Sequence, residues 1–332
     1  MNYSRKPKIA LISDELTRTC LHNDSVFNDI TPLNYRFYFK FGRPDFLLVE
    51  SSWSGYKSKW KYKIAAYDIK YKRNNNSLLK LLDLAKSKGI PTVFWNKEDG
   101  VHFERFIDSA RHFDHIFTVD ENCVSRYRAV VPASTSVNVL MFPVQPRYHF
   151  FQGFNFKDNC ANFIGSYSHH IHDERRRRQD FLLKAASDTL GLRVYDRNSK
   201  RSSANYRYPN LKNMEVNSAV SNDKTAEIYR KHLVSLNVNT VDDSPTMYSR
   251  RLIEIIACGG IAVTTPAQSV DIFFRDYCHV VDDYEHAYEL FSRLRNGPSS
   301  LDLDRARAGA EYVSTHHTWR HRLDEICKVI GL

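Results

Sequence analysis

No stretch of the sequence approaches the roughly 20 consecutive apolar residues that a bilayer-spanning helix requires, so a helical membrane span is not expected. No signal-peptide pattern opens the chain either: Met1 to Lys8 leads straight into a short strand pattern, and a cytoplasmic protein is expected. Six cysteines (Cys20, Cys123, Cys160, Cys258, Cys278, Cys327) form no CxxC and no repeated spacing, which leaves neither a disulfide framework nor a zinc site. G-x-S-x-G, G-x-x-x-x-G-K-[ST] and G-x-G-x-x-G are all missing, which argues against serine hydrolase, P-loop and ordinary dehydrogenase chemistry. There is no internal repeat, and no low-complexity tract beyond Asn74 to Asn76.

What is present fits two globular domains. The chain has 332 residues, of which 42% are apolar and 26% charged, enough to bury a real core. Its net charge of +10 suits an anionic ligand, a nucleic acid or an acidic membrane without choosing among them.

Strand-like runs recur in the first half at 8–13, 45–51, 91–96, 115–120 and 137–142, with a clear amphipathic helix at 77–88 closed by Gly89 and Pro91. A second α/β series has strands at 161–167, 191–197, 233–240, 260–265 and 278–283. Its helices fall near 174–189, 224–232, 247–258, 284–294 and 303–330, the last broken near His316. Near-continuous apolar strands alternating with helices predict parallel sheets covered on both faces. Residues 142–157, with two prolines, a glycine and no periodicity, read as a linker. The expected fold is α/β, with two Rossmann-like domains facing across a cleft: an acceptor-binding domain at 1–145 and a donor-binding domain at 158–332. The final helix is free to cross back to the first domain. Polar and acidic residues end most of the first-half strands, where open α/β sheets hold their ligands.

Glu254 stands out, set between Leu252-Ile253 and Ile255-Ile256-Ala257. On a helix it shares a polar stripe with Arg250 and Arg251, and an intrahelical ion pair is the plain explanation, worth about 0.2–0.5 kcal/mol. The setting suggests more. A polar loop (242–246) precedes the helix and Gly259-Gly260 ends it before a β-branched strand, the way a parallel sheet offers a helix start to an anion. A diphosphate fits there, with Glu254 one or two turns inward to accept ribose hydroxyls.

Arg251, Glu254 and Ala257 to Gly260 form an R-x-x-E-x-x-A-C-G-G segment that resembles the donor site of GT-B glycosyltransferases, and most of all the CgeB-like family. Phe163-Ile164-Gly165-Ser166 before an arginine-rich helix, and His317-Thr318-Trp319 to Arg322, match that family in order and spacing over about 160 residues. The resemblance implies a GT-B fold and transfer of a sugar from a nucleotide-diphosphate donor to a glycan, lipid-linked or surface-polymer acceptor. No cofactor is then needed beyond the donor as co-substrate, and no metal. Gly165, Ser166, Arg175, Thr246, Tyr248, Arg251 and Glu254 become the donor-binding candidates.

Other constellations read two ways. Asp173 to Arg178 opens a helix with four arginines, either a solvated basic face or a source of charge for the diphosphate leaving group. Asp14 and Glu50, at strand ends, are first and second choices for the base that takes the acceptor proton, and equally fit strand-end capping. Glu15, Trp53, Glu98 and Asp99 are acceptor-binding candidates, with Trp95 as a stacking surface. His169, His170 and His172, and the pair His317 and His321, have metal-like spacings without a supporting ligand cluster. Asp302-Leu303-Asp304 matches D-x-D but precedes a helix rather than following a core strand.

A polyol-phosphate transferase or nucleotide-sugar epimerase on the same fold is the alternative, and a basic nucleic-acid binder ranks last for want of any reading motif. The expected partners are a nucleotide sugar, a glycan or lipid-linked acceptor and the inner face of an anionic membrane, with no nucleic acid.

Overall fold

A computed structural model describes residues 5–67 and 74–332. The described chain divides into two compact units, the first containing residues up to Phe142 with Ser244–Met247 and Trp319–Leu332, the second Pro143–Asp243 and Tyr248–Thr318.

The first unit is built on six parallel strands: β1 (Lys8–Ile12), β2 (Val26–Asp29), β3 (Phe46–Glu50), β4 (Thr92–Asn96), β5 (His115–Thr118) and β6 (Ser136–Val139), in the order β2-β1-β3-β4-β5-β6. Helices α1 (Glu15–Leu21), α2 (Tyr35–Phe41), α3 (Asn76–Ser87), α4 (Asp99–Ala110) and α5 (Cys123–Arg128) alternate with them. Strands β3 and β4 are buried along their whole length, as expected for a sheet covered on both faces.

The second unit repeats the plan with β7 (Asp158–Gly165), β8 (Leu192–Asp196), β9 (Met214–Ser218), β10 (His232–Asn237), β11 (Ile261–Thr264) and β12 (His279–Val280), ordered β12-β11-β10-β7-β8-β9 and parallel throughout. Its helices are α6 (Asp173–Thr189), α7 (Asn222–Lys231), α8 (Arg250–Ala257), α9 (Gln268–Phe273), α10 (Tyr284–Leu294) and α11 (Ser300–His316). This is the dinucleotide-fold strand order, in which chain direction across the sheet reverses between β7 and β10. The first sheet reverses between β1 and β3. Ligands of such sheets sit beyond the carboxyl ends of the strands at those reversals.

Helix α12 (Trp319–Val329) joins the core of the first unit, with Trp319, Leu323, Ile326 and Cys327 buried beside Trp95 and Leu140. The H-T-W-x-x-R segment makes that return possible. Trp319 meets Trp95 edge-on at 5.4 Å, and buried Arg322 donates from Nε to the Met141 carbonyl at 2.8 Å. The second unit therefore ends at Thr318 instead of running to the C-terminus.

The segment 142–157 is not a linker. Residues from Pro143 onward belong to the second unit, with Phe151, Phe154 and Phe156 packed in succession and His149 buried. Its aromatic content drives it onto the protein. Gly259, at φ +70°, lies where any Cβ would strike the Phe151 ring, so the glycine after α8 serves both the helix stop and this contact. Strands β2 and β9 escape sequence reading because both are exposed edge strands without an apolar run.

Asp99 is fully buried, and neither of its carboxylate oxygens has a hydrogen-bond partner among the described residues. Burial, with the nearby Asp120 carboxylate, pushes its pKa up to about 8. A carboxyl group whose folded pKa stands above its unfolded value holds a proton in the folded state. Stability should therefore fall as pH rises from about 4 to about 8. Asp99→Asn should flatten that fall, measured as urea midpoint against pH; parallel curves for the two proteins would refute it.

Candidate functional site

The end of β7 is shaped for close packing. Gly165 is followed by Ser166 and an irregular turn to His172, whose left-handed backbone (φ 59°, ψ 57°) starts α6. A Cβ at Gly165 would fall 2.9 Å from the Arg251 guanidinium and nearer still to the Phe163 ring. The glycine thus lets an arginine lie across the strand end.

Arg251 spans the reversal point of the second sheet. Its Nε donates to the Ile164 carbonyl on β7 at 2.6 Å, one terminal nitrogen donates to Asn237 Oδ1 at the end of β10 at 3.2 Å, and the guanidinium lies over Phe163 at 4.5 Å. Among the described residues no carboxylate pairs with it. Burial, reinforced by the fields of Arg175 and Arg197, lowers its pKa to about 10.

The four arginines of α6 separate. Arg176 pairs with Asp173, Arg177 with Glu174, and Arg178 with Asp242. Arg175 pairs with no carboxylate among the described residues and donates only to Gln179 Oε1 at 3.0 Å; burial pulls its pKa down, and Arg197 adds to this. Close enough to feel both guanidinia is the Tyr208 hydroxyl, buried without a hydrogen-bond partner. Two desolvated cations and an unpartnered hydroxyl at the end of β7 leave room in their chemistry for an anion.

Glu254, 4% exposed, takes both of its hydrogen bonds on Oε1, from Asn222 Nδ2 at 2.9 Å and from Arg250 at 2.6 Å. Burial alone would raise its pKa. The Arg250 charge, then His149 and the Asn222 hydrogen bond, more than reverse that and hold it below the usual glutamate range. The expected i,i+4 ion pair is therefore real, but with Arg250 alone, because Arg251 turns to β7. His149, whose field also favours the ionised carboxylate, bonds Thr225 at 2.8 Å, whose hydroxyl donates to the Asn222 carbonyl at 2.7 Å. That leaves Oε2 as the oxygen without a hydrogen bond among the described residues.

Behind these groups lies a buried amide network that sequence reading missed. Asn239 donates to Thr264 Oγ1 and the Thr265 carbonyl, and its Oδ1 accepts from Asn237 and from the Ser249 backbone N–H at the start of α8. Asn222, His149, Gln179 and Tyr208 were missed as well. The only available signal was polar residues within otherwise apolar strand ends, as in Asn237 and Asn239.

Two donor candidates belong elsewhere. Tyr248 is a core residue, edge-on to Phe274 at 4.8 Å with its hydroxyl 3.3 Å from His317 Nδ1. Thr246 lies in the first unit, accepting from the Glu121 N–H and donating to the Val119 carbonyl. Its neighbour Ser244 likewise donates to Asp120.

In the first unit, Asp14 and Glu50 meet at the reversal between β1 and β3. The Asp14 backbone N–H donates to Glu50 Oε1 at 2.6 Å, and Asp14 Oδ1 accepts from the Gly55 N–H at 2.8 Å. Glu50 is fully buried, with Oε2 2.7 Å from Lys97 Nζ, so it is a structural ion pair rather than a base. Half-buried Asp14 remains available. Among the acceptor candidates, Glu15 is an exposed partner of Arg18, and Glu98 sits half-buried where its backbone N–H caps onto Asn96 Oδ1 at the start of α4. Trp53 is half-buried against His102 and Phe106. Asp99 and Trp95 are fully enclosed, and Trp95 Nε1 donates to the Leu140 carbonyl, so neither reaches an acceptor. Asp302 caps α11 through Ser299 and pairs with Arg293, a structural role. No metal-holding cluster of His, Cys, Asp and Glu occurs among the described residues.

Residues 175–328 match the sequence profile of the glycosyl transferase-like family. Over this stretch the chain is similar to that family. The match takes in Arg175, Tyr208, Asn237, Arg251 and Glu254. No curated protein matches the sequence. Among solved structures, HepE of Anabaena, in complex with UDP and glucose, is 8% identical over 98% of this chain and 91% of its own, with a TM-score of 0.58. An alpha-glucosyltransferase in complex with UDP-glucose and DNA is 15% identical over 93% and 86%, with a TM-score of 0.62. A glycosyltransferase from Rickettsia africae is 10% identical over 98% and 89%, with a TM-score of 0.56. At these identities the likeness is one of fold, and the fold is GT-B.

Arg175, unlike Arg251, bonds only within its own helix and has no counter-charge among the described residues, so it does little to stabilise the free protein. Arg175→Met should leave the melting temperature of the ligand-free protein unchanged or raise it. Destabilisation by about 2 kcal/mol or more would mark the side chain as structural instead.

Proposed function

We propose that this GT-B glycosyltransferase moves a sugar from a nucleoside-diphosphate donor, held by the second unit, to a glycan, lipid-linked or surface-polymer acceptor. The observation that carries the reading is the pair Arg175 and Arg251, two desolvated cations at the end of β7 without carboxylate partners among the described residues. A diphosphate supplies the missing negative charge. As the donor bond breaks, charge gathers on the departing diphosphate, and fixed guanidinia that need no reorganisation stabilise it. Glu254 Oε2 accepts the ribose hydroxyls in this reading, with Arg250, Asn222 and His149 keeping the carboxylate ionised and oriented.

No metal or cofactor enters the scheme, since the arginines do the electrostatic work a cation would do. Asp14 is the acceptor-side base. The Gly55 N–H orients one of its oxygens, and the residue stands at the reversal of the first sheet, where a crevice is expected. Peripheral contact with an anionic membrane belongs to the same reading, because a lipid-linked or surface-polymer acceptor is met there.

Binding is tested by a thermal-shift panel of nucleoside diphosphates and nucleotide sugars. A ligand at about 100 times its Kd adds about 2.7 kcal/mol of stability. The wild type should therefore melt higher with at least one nucleotide of the panel, and Glu254→Gln and Arg175→Met should respond less. A panel that moves nothing, or variants that respond like wild type, would remove the donor site from this place.

The base is tested by turnover. Asp14→Asn should lower kcat by about 10²–10⁴-fold with the donor KM little changed, and the wild-type rate should survive a chelator. A variant as fast as wild type, or a rate lost to chelation, would overturn the corresponding assignment.

A further inference from the structure

The outer side of α2 carries an apolar ridge with nothing packed over it. Leu33 (90% exposed), Phe37 (69%) and Phe41 (61%) follow one another at four-residue spacing, so they run in one line along the helix and the turn that leads into it. The two phenyl rings touch at 4.8 Å. Tyr35 and Phe39, the alternate side of the same helix, are buried in the core of the first unit. The ridge is therefore surplus to what α2 needs for folding.

Beside it, α2 and α3 frame an open pocket of about 600 Å³ lined by Arg36, Lys40, Lys80 and Lys88 against a single acid, Asp83. Lys40, Lys80 and Lys88 make no ion pair among the described residues. A lysine-rich turn extends the positive field. Trp60 Nε1 donates to the Ile30 carbonyl at 2.7 Å, which fastens exposed Lys57, Lys59 and Lys61 close to the chain that enters α2.

Apolar side chains standing clear of the surface, flanked by unpaired amines, match the two layers of an anionic bilayer interface: phosphates outside, acyl chains within. We propose that this face docks on an anionic lipid surface. Lipid phosphates settle among Arg36, Lys40, Lys80 and Lys88 while Leu33, Phe37 and Phe41 enter the headgroup–acyl boundary. Nucleic acid fits the cations but not the ridge, since Leu33 offers no ring for a base to stack on. The proposal rests on the peripheral membrane contact put forward above and locates it. It is independent of which sugar is transferred.

The full chain is floated with vesicles of phosphatidylcholine alone and of phosphatidylcholine with phosphatidylglycerol. Wild type should float with the anionic vesicles only, and less as salt rises. Phe37→Ser with Phe41→Ser, and Lys40→Glu with Lys80→Glu and Lys88→Glu, should each lower the partition coefficient by on the order of tenfold or more. All these side chains are exposed, so the melting temperature and the nucleotide-induced shift should be unchanged. Wild type that fails to float removes the membrane contact itself. Wild type that floats together with both variants places the contact elsewhere and overturns this surface. Variants that lose duplex DNA binding, or a concentration-dependent dimer, while still floating would hand the face to those partners.

Discussion

The second unit depends on one guanidinium. Arg251 leaves α8, crosses the sheet reversal and holds the ends of β7 and β10 in fixed relation through the Ile164 carbonyl and the Asn237 side chain. A parallel sheet opens a crevice at that reversal because successive connections leave to opposite faces, so the strand ends there have fewer neighbours to hold them. A planar, permanently charged fork with several donors suits that task, and a lysine could not make both contacts while lying on Phe163. The cost is a half-buried, desolvated positive charge. Among the described residues no carboxylate cancels it, and Arg175 nearby is in the same condition, which is the ground for the proposed anion site.

Glu254 shows the opposite arrangement. A carboxylate this deeply buried survives in ionised form because Arg250, His149 and Asn222 converge on it, and two of those three come from segments far from α8 in sequence. The residues 143–157 thus help to set the electrostatics of the proposed donor site through His149, with their aromatic side chains packed on the second unit. The first unit handles its acids differently. Glu50 is neutralised by Lys97, while Asp99 is left beside Asp120 and drifts toward its neutral form. That leaves Asp14 as the acid at the β1–β3 reversal that is neither enclosed nor ion-paired.

Much of the fold was legible in the chain. Apolar strands alternating with amphipathic helices fixed two parallel α/β units, and ten of the twelve strands among the described residues lie where the sequence has short strand-like runs. The exceptions, β2 and β9, are polar edge strands whose pairing comes from the neighbouring strand. The break before α12 was visible near His316, but its return to the first unit through Trp319 and Arg322 rests on contacts with Trp95 and Met141. The reading of 142–157 as a linker failed because proline and glycine were weighed above Phe151, Phe154 and Phe156, which pack in succession on the second unit.

By itself the sequence determined the fold class, the polar and acidic residues at the strand ends, and the oddity of Glu254 and of four successive arginines. All of these are local, carried by residue spacing along one element. Only the tertiary structure decided which arginine lacks an acid, which carboxylate is neutralised, and which tyrosine is core. Each of those depends on a charge or hydrogen bond brought from a distant segment, and ionisation in a buried setting is governed by such neighbours rather than by the order of residues along the chain.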